Sequence, residues 1–214
     1  MSLFTILLGG DLKRTPLVEL QVAGSRVIAA DAGIAHAAML DLAPELWLGD
    51  FDSVPRHLPD SLAAVPRRTF PREKDKTDGE LAIAYALEQG ATDLVLVGAF
   101  GGMRADHAFL HLSLALHLAE AGTGVLLTSG TQEGVPLLAG RRTFDYDAGT
   151  LFSILGFSAL SGLSVTGAKW PLDSVEVGFG SSLTLSNEVE GRLRIDLAGG
   201  RAMLIAHPYP QAEG

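Results

Sequence analysis

Hydrophobic positions in the first part of the chain fall into short, nearly solid runs, each ending in Gly, Asp or both: Leu3–Leu8, Arg26–Ala30, Leu46–Leu48 and Leu94–Val97. Runs of this kind predict strands buried on both faces. Between and after them lie segments of helical length, Ile34–Leu42, Gly79–Gln89 and Asp106–Ala121, and Val125–Thr128 supplies a further strand. Strand alternating with helix predicts an α/β N-terminal domain, with a mostly parallel sheet and helices on both faces. Such sheets bind ligands at the carboxyl ends of their strands. That is where this sequence places its Gly and Asp residues.

Beyond about Thr131 the texture changes. Short β-type runs follow one another with Gly or Asp turns between them: Arg142–Phe144, Thr150–Leu155, Leu163–Val165, Ser174–Val177, Leu183–Leu185, Leu193–Leu197 and Ala202–Ala206. No segment of helical length follows. The pattern is that of an antiparallel sandwich or barrel, and an all-β C-terminal sandwich is the expected form. The boundary falls within residues 129–141, giving domains of 1–135 and 136–214.

Composition narrows the classes. With 47% hydrophobic and 19% charged residues the chain carries enough apolar material for a core and is not disordered. Sixteen Lys+Arg against 25 Asp+Glu leave a net charge of -9, without the broad basic field that nucleic-acid binding needs. The absence of cysteine excludes disulfides, zinc–thiolate sites, iron–sulfur clusters and a thiol nucleophile, and fits a cytoplasmic location. The opening apolar run has no basic residues before it and stops at Gly9, so it predicts a first strand and not a signal peptide. No apolar run approaches the ~18 residues of a membrane span. The stretch from Ala108 to Ala119 contains His111 and His117. A soluble protein without a membrane partner is expected.

The most informative segment is Leu48-Gly49-Asp50-Phe51-Asp52-Ser53. In extended backbone, carboxylates at i and i+2 point to the same side and can face one cation. An oxygen-only ligand set suits Mg2+, which takes one or two carboxylates and completes its shell with water and phosphate oxygens. The same residues also fit an Asp-rich turn at a strand end. Glu73-Lys74-Asp75-Lys76-Thr77-Asp78-Gly79-Glu80 leads into the next helix. Thr77 with Glu80 forms a capping-box pattern, and Asp78 complements the helix dipole. Capping leaves Asp75 and the two lysines unexplained, and these suit a site holding both phosphate and metal. Gly98-Ala-Phe-Gly-Gly-Met-Arg-Ala-Asp-His107 follows a strand and opens a helix. Its glycines allow a phosphate to approach the backbone and Arg104 can grip phosphate oxygens. Read structurally, it is a glycine turn with Asp106 as N-cap. Gly9-Gly10-Asp11 and Ala30-Asp31-Ala32-Gly33 are similar strand exits.

Other candidates point elsewhere. His107 and His111 are four apart, but the glutamate of a zinc-protease helix is absent. Ser53 and Ser129 lack a nucleophile-elbow context, and Trp47 reads as core. No histidine falls within the acidic segments, so an aspartate, or no strong base, must serve.

In this order the segments resemble the thiamine pyrophosphokinase family: Ala30-Asp31-Ala-Gly33, Gly49-Asp50-Phe-Asp52-Ser53, Asp75-Lys-Thr77-Asp78, then Gly101-Gly102 with Arg104-Ala-Asp106-His107. The C-terminal half adds Gly167-Ala-Lys-Trp170-Pro-Leu172 and Gly180-Ser-Ser-Leu-Thr-Leu-Ser186-Asn187-Glu188. The resemblance implies an α/β nucleotide-binding catalytic domain followed by a thiamine-binding β-sandwich, working as a homodimer with the thiamine cleft at the subunit interface. It implies Mg-dependent transfer of pyrophosphate from ATP to the thiamine hydroxyl, giving thiamine diphosphate and AMP. Asp50, Asp52 and Asp78 would hold Mg2+ and carry catalysis. Asp31, Asp75, Thr77, Arg104 and Asp106 would lie on the ATP side, and Trp170, Ser186 and Asn187 on the thiamine side. This chain departs from the family pattern at Ala32, at Gly79 and at an additional Met103 before Arg104. The alternatives are a metal-dependent phosphohydrolase or nucleotidyl transferase, or a non-catalytic thiamine- or nucleotide-binding protein. A haloacid-dehalogenase arrangement would place its D-x-D after the first strand, whereas here it follows the third apolar run.

Overall fold

A computed structural model describes residues 2–51, 58–70 and 75–209. The chain divides into two compact units, residues 1–111 with 123–130, and residues 112–122 with 131–214. No helix among the described residues is long and apolar enough to cross a membrane.

In the first unit the apolar runs become β1 (Leu3–Leu7), β2 (Arg26–Ala30), β3 (Leu46–Gly49), β5 (Asp93–Val97) and β6 (Gly124–Thr128), with β4 (Arg67–Thr69) at the end of the sheet. Their order is β6-β5-β1-β2-β3-β4, and each of these neighbours pairs in parallel. Leu7 is thus in register with Ala29 on one side and Val97 on the other. Solid burial across β1, β2 and β5 explains why they read as continuous apolar runs. After β1 the chain lays β2, β3 and β4 to one side, then returns to place β5 and β6 on the other. The order therefore reverses between β1 and β5, the position where open α/β sheets form a crevice.

The helices of this unit are α1 (Pro16–Val22), α2 (Ile34–Met39), α3 (Asp60–Ala63) and α4 (Asp78–Glu88), and α5 (Ala105–Glu120) begins in it. Helices α2 and α4 pack on β1 and β2, with α4 also reaching β3. Trp47, fully buried, anchors a core with Leu7, Ile34, Val95 and Val97, and its indole N–H donates to the Asp31 carbonyl at 2.9 Å. Three elements carry little hydrophobic signal. The short α1 starts from a Thr15 cap with Pro16 behind it, and its apolar stripe, Val18 and Val22, covers only two turns. Strand β4 is Arg-Arg-Thr and exposed throughout, and α3 is a single turn.

The second unit is antiparallel. It comprises β7 (Glu133–Leu137), β8 (Gly140–Phe144), β9 (Leu151–Gly156), β10 (Leu160–Ala168), β11 (Leu172–Val177), β12 (Asn187–Leu197) and β13 (Ala202–His207). Strand β13 lies between β7 and β9, and β10 between β11 and β12. The long β12 joins these groups: Asn187 and Glu188 pair with β9, while Leu193–Leu197 pairs with β8. Strand β7 falls within residues 129–141, where the sequence pattern placed the domain boundary and no strand. Pro136 and Glu133 disguise it, yet the strand is wholly buried, and Glu133 accepts a 2.7 Å hydrogen bond from the Tyr146 hydroxyl. The strand expected over Leu183–Leu185 is instead a turn. Ser181 Oγ accepts from Leu183 N, Ser182 O accepts from Leu185 N, and Ser186 adopts φ 57°, so extended pairing is interrupted. Only Thr184 is buried there, docked on Ile154 through two hydrogen bonds.

Close backbone approach makes Gly33 obligatory, because a Cβ there would lie 2.1 Å from the Leu7 carbonyl oxygen. At Gly9 the nearest atom to such a Cβ is Ala32 Cβ, at an ordinary 3.6 Å. Gly33→Ala is expected to lower unfolding free energy by about 1–3 kcal/mol or more, and Gly9→Ala by under ~1 kcal/mol, as read from urea denaturation. Equal losses would refute the assignment.

Candidate active site

The carboxyl ends of β1, β2 and β5 are closed by loops that touch through their backbones. Gly10 N donates to Gly98 O at 2.9 Å and Asp11 N to Phe100 O at 2.8 Å. A Cβ on Gly10 would stand 2.4 Å from both Gly98 O and Phe100 O, so only glycine permits this contact. His36, on α2, supports the same loop from behind, with its Nε2 2.9 Å from Gly10 O. The carbonyl can only accept, so Nε2 carries the proton, and burial lowers the pKa of this imidazole.

In front of these loops lies a cavity of about 430 Å³, lined by Leu8, Gly9, Gly10, Asp31, Ala32, Thr77, Asp78, Gly79, Gly101, Gly102, Met103, Arg104, His107 and His111, among others. A second cavity of about 520 Å³ is lined by Asp50, Asp75, Lys76, Thr77, Asp78, Glu80, Arg104 and His107. The two share Thr77, Asp78, Arg104 and His107, so they meet along one wall.

Local structure explains how each side chain arrives. Asp31 ends β2 in a single 3₁₀ turn, with φ 42°. Asp50 leaves the end of β3, and the next residue, Phe51, turns back at φ 60° to set its ring edge-on to Trp47, 4.9 Å between centroids. Thr77 and Glu80 form the expected capping box: Thr77 Oγ1 accepts from Glu80 N at 3.2 Å, and Glu80 Oε2 accepts from Thr77 N at 2.8 Å. This box starts α4 and fixes Asp78 at its first turn. Arg104 grips Asp106 with two hydrogen bonds, Nε to Oδ1 at 2.9 Å and Nη2 to Oδ2 at 2.6 Å, and holds that carboxyl well below the usual range. Asp106 therefore orients Arg104 and is not itself part of either cavity lining.

The structure thus brings Asp50, Asp75, Thr77, Asp78 and Arg104 to one cavity, and Asp31 with Thr77, Asp78 and Arg104 to the other. Asp52 and Ser53 lie outside the described residues. One expectation is corrected: a histidine does reach the acidic residues, because the first turn of α5 swings His107 into both cavities. Its four-residue spacing from His111 at the start of a helix was the available signal. The rings are 6.5 Å apart and approach edge to face. Met103, the additional residue, sits fully exposed on the cavity rim.

Among the described residues no three His, Cys, Asp or Glu side chains form a ready-made metal cage. The second cavity nevertheless offers carboxylate oxygens from Asp50, Asp75, Asp78 and Glu80 beside the His107 imidazole, and Mg2+, a hard cation, takes only one or two carboxylates beside substrate phosphates.

The candidates in the second unit form a separate cluster. Asn187, buried, clips Trp170: its Oδ1 accepts from Trp170 N at 3.1 Å and from Glu188 N at 2.9 Å, and its Nδ2 donates to Trp170 O at 2.8 Å. Trp170 itself is half exposed. Glu188 pairs with Lys169 at 3.1 Å, and that ammonium lies 5.2 Å from the Trp170 ring centre. Ser186, exposed, donates its backbone N–H to Ser153 Oγ at 3.0 Å.

Together these features define an α/β protein with glycine loops and carboxylates at the carboxyl end of a parallel sheet. The comparisons make this specific. Residues 19–127 match the model of the thiamin pyrophosphokinase catalytic domain, and residues 142–200 that of its vitamin B1 binding domain. The thiamine pyrophosphokinase of Bacillus subtilis is 28% identical over 183 residues, covering 83% of this chain and 85% of that protein. The crystal structure of thiamine pyrophosphokinase from that organism superposes with a TM-score of 0.83 at 25% identity, covering 96% of this chain and 99% of the other. One from Geobacillus thermodenitrificans gives 0.76 at 27% identity, covering 97% of each. The chain belongs to the thiamin pyrophosphokinase family and is an enzyme of that family.

Two buried imidazoles give the unit a pH signature. Burial lowers the pKa of both His36 and His111 from the ordinary 6.5. The unfolded chain takes up these protons first, so their contribution is complete above about pH 7 and declines as pH falls through 6.5. Urea midpoints are expected to drop between pH 7.5 and 5.5, and His36→Gln with His111→Asn to flatten that slope. An unchanged slope in the double variant would refute this.

Proposed function

We propose that this enzyme transfers the pyrophosphoryl group of ATP to the hydroxyl of thiamine, releasing AMP. The observation carrying this reading is the pair of adjoining cavities at the sheet's switch point, one walled by glycine backbone and the other by carboxylates, sharing Asp78 and Arg104. A glycine wall at the mouth of a parallel sheet suits a nucleotide. A carboxylate wall alone would repel its phosphates. Asp50 and Asp78 would hold Mg2+, with Asp52 as the third ligand of the proposal, and the cation would neutralise charge on the phosphates. Arg104, oriented by Asp106, binds phosphate oxygens, and Asp31, Asp75 and Thr77 shape the ATP side. The protein's part is to align the acceptor hydroxyl in line with the scissile bond, as loose phosphoryl-transfer transition states require.

For thiamine, the half-exposed Trp170 offers an apolar face to a cationic heteroaromatic ring. Asn187 serves by holding the Trp170 backbone, and Ser186 completes that edge. The sandwich form of the second unit, the homodimer and the cytoplasmic location belong to the same proposal.

The deciding assay incubates the protein with ATP, Mg2+ and thiamine and resolves AMP, ADP and thiamine diphosphate. AMP and thiamine diphosphate appearing together, only with thiamine and Mg2+ present, is the expected result. ADP with thiamine monophosphate would replace it with an ordinary kinase, and phosphate release without thiamine with a hydrolase. Asp50→Asn and Asp78→Asn are each expected to cut turnover on the order of 100-fold with little change in unfolding temperature. Near-normal rates at low Mg2+ would sink the metal assignment. Trp170→Ala should raise the thiamine KM roughly ten-fold and leave the ATP KM unchanged. An unmoved thiamine KM would return Trp170 to a structural role.

A further inference from the structure

The glycine-walled cavity contains one side chain whose hydrogen-bonding character is dictated by what lies behind it. His111, on α5, is buried, and its Nδ1 is 3.0 Å from the Ala99 carbonyl oxygen. A carbonyl can only accept, so Nδ1 carries the ring proton. Desolvation keeps the imidazole neutral, which leaves Nε2 as an acceptor. Nε2 lies on the cavity side. It is 3.9 Å from the point where a Cβ on Gly79 would stand, and both Gly79 and His111 line the cavity. The neighbouring Thr77 hydroxyl does not supply its proton, because it donates to Glu80 Oε2 at 2.9 Å.

A bare acceptor in this wall is unsuited to phosphate oxygens, which would meet it lone pair to lone pair. It suits a ligand group that brings its own N–H or O–H. We propose that His111 is a specificity-determining residue, its Nε2 accepting a hydrogen bond from the nucleoside part of the triphosphate that fills this cavity. The inference rests on the ATP reading above. The donor is either the exocyclic amine of the base or a ribose hydroxyl, groups that share this chemistry.

His111→Asn isolates the role, because asparagine can place an amide N–H near the Nδ1 position, keeping the bond to Ala99, with no atom at Nε2. His111→Gln does the converse and can return an acceptor to the Nε2 position. Wild type and both variants are compared with ATP, purine riboside triphosphate, 2′-deoxy-ATP and 3′-deoxy-ATP, with thiamine as acceptor. Wild type is expected to use one of these analogues roughly ten-fold less well than ATP in kcat/KM, and that analogue identifies the donor. The Asn variant should lose about the same factor with ATP, lose nothing further with that analogue, and unfold at the wild-type temperature. The Gln variant should keep the preference. Equal use of ATP and all three analogues by wild type overturns the inference, as does an Asn variant that weakens all four nucleotides alike. Absence of any ATP turnover by wild type overturns instead the reading on which it rests.

Discussion

The first unit depends on one constraint: two loops at the carboxyl edge of a parallel sheet must approach until their backbones hydrogen-bond. Gly10 meets Gly98 and Asp11 meets Phe100 at the reversal between β1 and β5. A side chain at Gly10 would occupy the space of two carbonyl oxygens. With that contact made, the floor of the cavity is main chain, and functional side chains can enter only from its margins. They do so from the ends of β2 and β3, from the start of α4 and from the first two turns of α5. The two helix starts are set locally, by the capping box at Thr77 and the Arg104–Asp106 pair, while the Asp31 carbonyl at the end of β2 is held from the neighbouring strand by the Trp47 indole. The site is assembled from strand exits and helix starts, which are the places where a chain's own chemistry is most determined by neighbours in sequence.

That is also why much of it was legible before the structure. Strands β1, β2, β3, β5 and β6 are buried on both sides and announce themselves as apolar runs. Asp50, Asp75, Thr77, Asp78 and Arg104 lie at element boundaries marked by glycine, capping residues or both. What escaped detection has physical causes as well. Strand β4 carries no apolar residue, and β7 hides behind a proline and a paired glutamate. His107 looked remote from the carboxylates because sequence distance does not show that α5 opens against the start of α4. In the second unit, alternation located most strands, but Leu183 and Leu185 imitate a strand while facing solvent in a turn. The pattern of apolar residues cannot separate those two cases; the flanking serines and the positive φ of Ser186 do.

The two clusters of candidate residues differ in kind. In the first unit carboxylates and an arginine surround open volume. In the second, Asn187 has its side-chain amide bonded to the main chain on both sides of Trp170, so it determines where an aromatic ring stands and leaves the ring to make contact. Residues in the family's motifs therefore need not all touch a ligand. Asp106 and Asn187 show the same economy of role, each orienting one neighbour, Arg104 and Trp170 respectively.

The end of the parallel sheet carries a further consequence. Among the described residues no strand pairs with the outer side of β4; a strand edge of that kind is a template for pairing with another chain, and β4 carries two arginines there. Arg67 lies over the Trp47 ring at 4.5 Å and the Phe51 ring at 5.6 Å, and Arg68 lies over Phe70 at 5.3 Å. These cations cover aromatic surface while remaining hydrated themselves. In colloidal terms, β4 has the composition of a gatekeeper: paired cations on the last described strand of a sheet disfavour edge-to-edge recruitment of another chain.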